Sequence, residues 1–72
     1  MEKKIKYGVI GVGHLGNFHI KQLLKIKAVD LVGVYDENKQ RLDEISKNYS
    51  VPQFDSAVNL LKKSDAVSIV TP

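Results

Sequence analysis

Apolar residues along this chain gather into short runs that alternate with stretches of helical spacing. Ile5 to Ile10 reads as a buried strand, with Ile5, Tyr7, Val9 and Ile10 apolar and Gly11 at its end. Beyond a glycine cluster, Gly16, Ile20, Leu23 and Leu24 recur at i, i+4, i+7 and i+8, one face of a helix expected from about Leu15 to Lys27. Val29 to Tyr35 is a second apolar run, rich in β-branched residues and too short for a helix of its own. Leu42, Ile45 and Tyr49 space out the apolar face of a second helix, whose surface carries Glu37 with Arg41 and Asp43 with Lys47 as i,i+4 pairs. Val51 to Phe54 is expected as a short third strand, which Pro52 consigns to an edge or leaves poorly formed. Asp55 or Ser56 then caps a short helix through Val58 and Leu61, and Ala66 to Val70 is a fourth strand with Thr71-Pro72 at its carboxyl end.

The expected order is therefore β-α-β-α-β-α-β. Strands alternating with helices predict the α/β class, as part of a Rossmann-type parallel sheet with right-handed crossovers. Seventy-two residues allow one domain at most, and a chain of this size buries only about 60% of the surface its unfolded form exposes. With 43% hydrophobic and 26% charged residues, it reads as a globular chain, neither a disordered tail nor a membrane segment. The basic start, Met1-Glu2-Lys3-Lys4, is followed by an apolar run broken by Lys6, glycines and His14, so neither a signal peptide nor a membrane span is expected. The absence of cysteine excludes a disulfide or thiolate metal site and is compatible with the reducing cytoplasm, the expected location.

A net charge of +3 raises the question of nucleic acid. Ten of the eleven basic residues are lysines scattered among eight acids, without the clustered positive charge and interleaved arginine or aromatic residues of such surfaces. No nucleic-acid partner is expected. Lys25, Lys27, Lys62 and Lys63 fall instead where helices should end and a cation complements the dipole.

The candidate chemistry lies in Gly11-Val12-Gly13-His14-Leu15-Gly16, a G-x-G-x-x-G cluster. It follows an expected strand, opens an expected helix and sits in a strand-helix-strand unit of about 30 residues, as a dinucleotide fingerprint requires. Gly11 permits a tight turn, Gly13 lets backbone approach a pyrophosphate, and Gly16 lets the helix pack closely on the sheet. Unpaired N–H groups near His14 and Leu15 would meet phosphate oxygens at the positive end of the helix dipole. Asp36, twenty positions beyond Gly16, stands where a carboxylate accepts from the ribose hydroxyls of the adenosine half, which favours NAD over NADP. The plainer alternative is three turn glycines with Asp36 capping the next helix; a methyltransferase loop for adenosylmethionine is a further one. Arg41 has two readings, stacking on adenine or pairing with Glu37. His14 and His19 lie five apart with no third ligand, so no metal site is expected, and His19 reads as a packing or hydrogen-bonding residue.

These residues resemble the glucose-fructose oxidoreductase and inositol dehydrogenase family, Gfo/Idh/MocA. The similar stretches are Tyr7 to Gly16 with His19 and Leu23, Leu31-Val32-Gly33-Val34-Tyr35-Asp36 with Arg41, Tyr49-Ser50-Val51, and Asp65-Ala66-Val67-Ser68-Ile69-Val70-Thr71-Pro72. The resemblance implies that residues 1–72 are the amino-terminal part of an NAD(P)-binding domain, with a carboxyl-terminal substrate domain absent. It also implies that Thr71 approaches the nicotinamide half of the cofactor. Hydride would be exchanged with a sugar, polyol or nucleotide-sugar carbinol, the Gly-His-Leu-Gly wording being most like members that act on nucleotide sugars. The family's catalytic lysine, in a Glu-Lys-Pro motif, has no counterpart here. No catalytic residue is assigned, the segment alone is expected to be inactive, and the intact protein is a candidate homo-oligomer. A dinucleotide-binding sensor without turnover is the alternative function.

Overall fold

The computed structural model describes residues 3–70, with the backbone alone at His14 and Leu15. In chain order it contains β1 (Ile5–Ile10), α1 (His14–Leu23), β2 (Val29–Tyr35), α2 (Lys39–Tyr49), α3 (Ala57–Lys63) and β3 (Ala66–Ile69). The three strands form one parallel sheet in the order β2-β1-β3. Parallel neighbours need a crossover, and helices supply it between each pair of strands.

One expected strand is reduced. Over residues 51–54 only Gln53 bridges to Val34, on the edge of β2 away from β1. Pro52 has no N–H for a ladder, and among the described residues the segment makes two bonds to β2, Val34 N–H to the Pro52 carbonyl at 3.0 Å and Phe54 N–H to the Val34 carbonyl at 2.9 Å. The parallel direction is retained, but the strand is one rung long.

Alternation along β1 divides the molecule into layers. Val9 points to the face where Ile20 and Leu23 of α1 and Leu42 and Ile45 of α2 close the main core, joined by Val12, Val34 and Val51. The neighbouring Gly8 points the other way, toward α3. A Cβ on Gly8 would stand 2.9 Å from the Leu60 side chain, and a Cβ on its strand partner Gly33 only 2.2 Å from the Phe54 ring. Two adjacent glycines thus form a floor on which Leu60, wholly buried, and Phe54 rest. Leu60 carries the buried contact of α3, whereas Val58 and Leu61 are exposed. Substituting Gly33 by Ala should lower the stability of the intact protein by about 1–3 kcal/mol, the range for overpacking a filled site. The shift in urea midpoint checks this, and an unchanged midpoint would show that the Phe54 ring moves aside freely.

Helix ends follow local chemistry. α1 stops at Leu23 and not at Lys27, because Lys25 N–H bonds to the Gln22 carbonyl and Ile26 N–H to that of Leu23, tightened turns that lead into β2. Asn38 caps α2 by accepting from Arg41 N–H at 3.0 Å, and Ser56 caps α3 by accepting from Asn59 N–H. Lys62 and Lys63 fall in the last turn of α3 as expected, whereas Lys21 holds that position in α1. Where β2 meets β1 the register slips once: Tyr7 pairs with Leu31, but Gly8 pairs with Gly33. Val32 is the extra residue of a bulge.

Candidate functional site

The glycine cluster lies at the carboxyl end of β1, between the ends of β2 and β3. Gly11 has φ +93°, and a Cβ there would stand 2.0 Å from the Val70 carbonyl oxygen. Only glycine satisfies both conditions. Its N–H bonds to the Tyr35 carbonyl at 2.8 Å, which carries the ladder with β2 one step into the turn. Gly16 is required by proximity: a Cβ would meet the Gly11 carbonyl oxygen at 2.1 Å. The first turn of α1 therefore packs on the turn that leaves β1, the close approach expected of the third glycine.

Gly13 differs from both. Its φ is −70°, ordinary for any residue, and among the described residues a Cβ would meet nothing nearer than Arg41 Nη1 at 3.5 Å. Among the described residues no packing contact demands a glycine here, and its missing side chain leaves only the Arg41 guanidinium over the start of α1. Gly13 is the N-cap of α1 without a side-chain cap bond, and the first turn holds no acid. The earliest helical bond is Asn17 N–H to the Gly13 carbonyl, which leaves the N–H groups of the first turn without intrahelical partners. These features fit an anionic group such as a pyrophosphate.

Asp36 follows β2 directly and is half-buried. Its Oδ2 accepts from Val12 N–H at 2.8 Å and its Oδ1 from Asn38 N–H at 2.7 Å. A carboxylate has about four lone-pair sites, so both oxygens keep capacity for ribose hydroxyls. The side-chain cap of α2 is Asn38, not Asp36. Arg41 is exposed and turns its guanidinium toward Gly13, where it shares a shallow groove with Val12, Asn17 and Glu44. The structure thus brings Gly11, Gly13, Gly16, Asp36 and Arg41 together, with the backbone of His14 and Leu15 beside them. Thr71 lies outside the described residues.

Three polar links between elements have no simple sequence signal. The Tyr49 hydroxyl donates to Asn17 Oδ1, tying α2 to α1. Ser68 of β3 meets both the Tyr7 hydroxyl at 2.6 Å and His19 Nε2 at 2.7 Å. His19 is therefore a hydrogen-bonding residue, as its position implied, and among the described residues no cluster of His, Cys, Asp or Glu could hold a metal ion. No helix of the described residues is long and apolar enough to cross a membrane.

Comparison with known proteins agrees with this geometry. Over 68 residues the chain is 47% identical to UDP-N-acetylglucosamine 3-dehydrogenase of Acidithiobacillus ferrooxidans, covering 94% of this chain and 21% of that protein. A solved structure of that enzyme superposes with a TM-score of 0.87 at 46% identity, covering 96% of this chain and 22% of the other. Scyllo-inositol dehydrogenase of Lactobacillus casei, solved with bound NAD(H) and scyllo-inositol, superposes with a TM-score of 0.83 at 31% identity, covering 97% and 22%. The chain thus spans about a fifth of the length of these relatives. The profile of the oxidoreductase family with an NAD-binding Rossmann fold, Gfo/Idh/MocA, matches residues 5–72, and the chain belongs to that family.

Proposed function

We propose that the intact protein is an NAD-dependent dehydrogenase acting on a secondary alcohol of a sugar, polyol or nucleotide sugar, and that this segment holds the cofactor. The observation that carries the reading is the open start of α1. Gly13 is a glycine that no contact of the described residues requires, beneath a helix terminus whose first N–H groups lack intrahelical partners and whose first turn holds no acid. A pyrophosphate there would meet backbone donors and the positive end of the dipole. Asp36 would accept from the adenosine ribose, and Thr71 would border the nicotinamide half. When bound, the cofactor supplies the hydride exchange.

A nucleotide-sugar substrate is supported by the 47% identity to UDP-N-acetylglucosamine 3-dehydrogenase. The dehydrogenase names of the relatives favour turnover over a sensing role. The test is to supply the intact protein with NAD and UDP-N-acetylglucosamine, scyllo-inositol and glucose 6-phosphate in turn, and to follow NADH formation. Formation of NADH with at least one of them is expected. Tight NAD binding without turnover of any sugar or polyol would return the reading to the sensor.

Arg41 is assigned to the phosphate side of the site, because its guanidinium hangs over Gly13. It is exposed, so the gain is modest. Arg41→Ala should weaken NAD by about two- to fivefold and flatten the salt dependence of binding. Titration at low and high ionic strength measures both, and equal affinity at low salt would move Arg41 off the phosphates.

A further inference from the structure

We propose that Asp36 is a positioning residue for the glycine loop, clamping it to the start of α2 before any cofactor arrives. The inference rests on reading this loop as the dinucleotide site and adds a second task to a residue assigned to the ribose. Val12 is buried, and its N–H, in the turn that Gly11 opens, donates to Asp36 Oδ2. The other oxygen accepts from Asn38 N–H, and Asn38 in turn accepts from Arg41 N–H. The Arg41 guanidinium lies over Gly13. The loop is thus linked through one carboxylate to the first turn of α2.

A carboxylate suits this position because both of its oxygens accept. The amide of asparagine would present one acceptor and one N–H₂ donor to two N–H donors, leaving one of them facing another donor. The ribose end and the pyrophosphate end of the site are therefore mechanically joined. Substitutions at Asp36 aimed at cofactor preference would also loosen the backbone donors of the loop.

The experiment compares wild type, Asp36→Asn and Asp36→Ala in the intact protein. Amide hydrogen exchange at Val12 is read without cofactor, with Val9 in the centre of β1 as the control for folding. Exchange at Val12 should quicken by about tenfold or more in both variants while Val9 is unchanged. If the alanine variant does not fold, the asparagine variant decides. Equal Val12 rates in wild type and Asp36→Asn would overturn the clamp. A second measurement uses an NAD analogue lacking both hydroxyls of the adenosine ribose. A clamp predicts that Asp36→Ala weakens this analogue by about three- to tenfold, whereas a residue that only accepts from the ribose leaves its affinity unchanged, which also overturns the proposal. Should wild type bind neither NAD nor the analogue, the dinucleotide reading fails, and the exchange rates still decide the clamp.

Discussion

Gly11→Ala and Gly13→Ala, two positions apart in the same motif, are expected to fail in opposite ways. The Gly11 variant should lose about 3–5 kcal/mol of stability. Roughly 1–3 of that comes from holding a side chain at positive φ, and the remainder from a steric conflict that overpacking values describe. The conflict is severe because the atom in the way is backbone: a Cβ 2.0 Å from the Val70 carbonyl oxygen cannot be relieved by a rotamer change. Relief requires β3 to draw away from β1, which endangers the bond from Val70 N–H to the Ile10 carbonyl. The Gly13 variant should melt within about 0.5 kcal/mol of wild type, since its Cβ has ordinary φ and ordinary contacts. Its affinity for NAD should nonetheless fall by about tenfold or more, because the methyl group occupies the space proposed for the pyrophosphate. Thermal melts without cofactor, paired with NAD titrations, separate the two. A destabilised Gly13 variant, or one that binds NAD normally, would remove the main support for the pyrophosphate reading.

The second large effect concerns cofactor choice. The intact protein should prefer NAD over NADP by about 2–4 kcal/mol, or roughly one and a half to three decades in affinity. The 2′-phosphate of NADP would replace a hydroxyl donor with a negative group beside the Asp36 carboxylate, and Glu37 adds to the same field. Asp36→Ser should narrow that gap by weakening NAD and relieving the repulsion toward NADP. The ratio of the two affinities is the informative quantity. Any loosening of the glycine loop acts on both cofactors alike and cancels in it, whereas charge repulsion does not. Titration of both cofactors into wild type and variant is decisive. Equal affinities in the wild type, or an unchanged ratio in the variant, would detach Asp36 from the ribose.

Features that depend on runs and on glycine were legible in the sequence. The bounds of β1 and β2 match the apolar runs Ile5 to Ile10 and Val29 to Tyr35, because a buried strand needs apolar residues and Gly11 stops the first of them. The strain at Gly11 and the close approach at Gly16 followed from the spacing of the cluster. Features that depend on register were not legible. Leu24 prolonged the helical pattern of α1, yet it is half exposed and sits at the C-cap. The burial of Leu60 carried no signal, since its pocket exists only when Gly8 and Gly33 lie side by side, and that pairing depends on a slip between strands. The Asp36 bond to Val12 was equally hidden, because a backbone N–H carries no residue signature. What the acid's position announced was a carboxylate at the end of β2, and not which donors it would meet.

The bulge at Val32 changes what the interval between glycine cluster and acid measures. Seven residues of β2 run beside six of β1, with one of the seven spent between rungs. Tyr35 still arrives level with Ile10, and Asp36 level with the turn beyond it. The ladder, not the residue count, is the ruler of this motif. A relative whose second strand ran straight would reach the same point in space with one residue fewer, so an acid displaced by one position in its sequence would stand in register with Asp36.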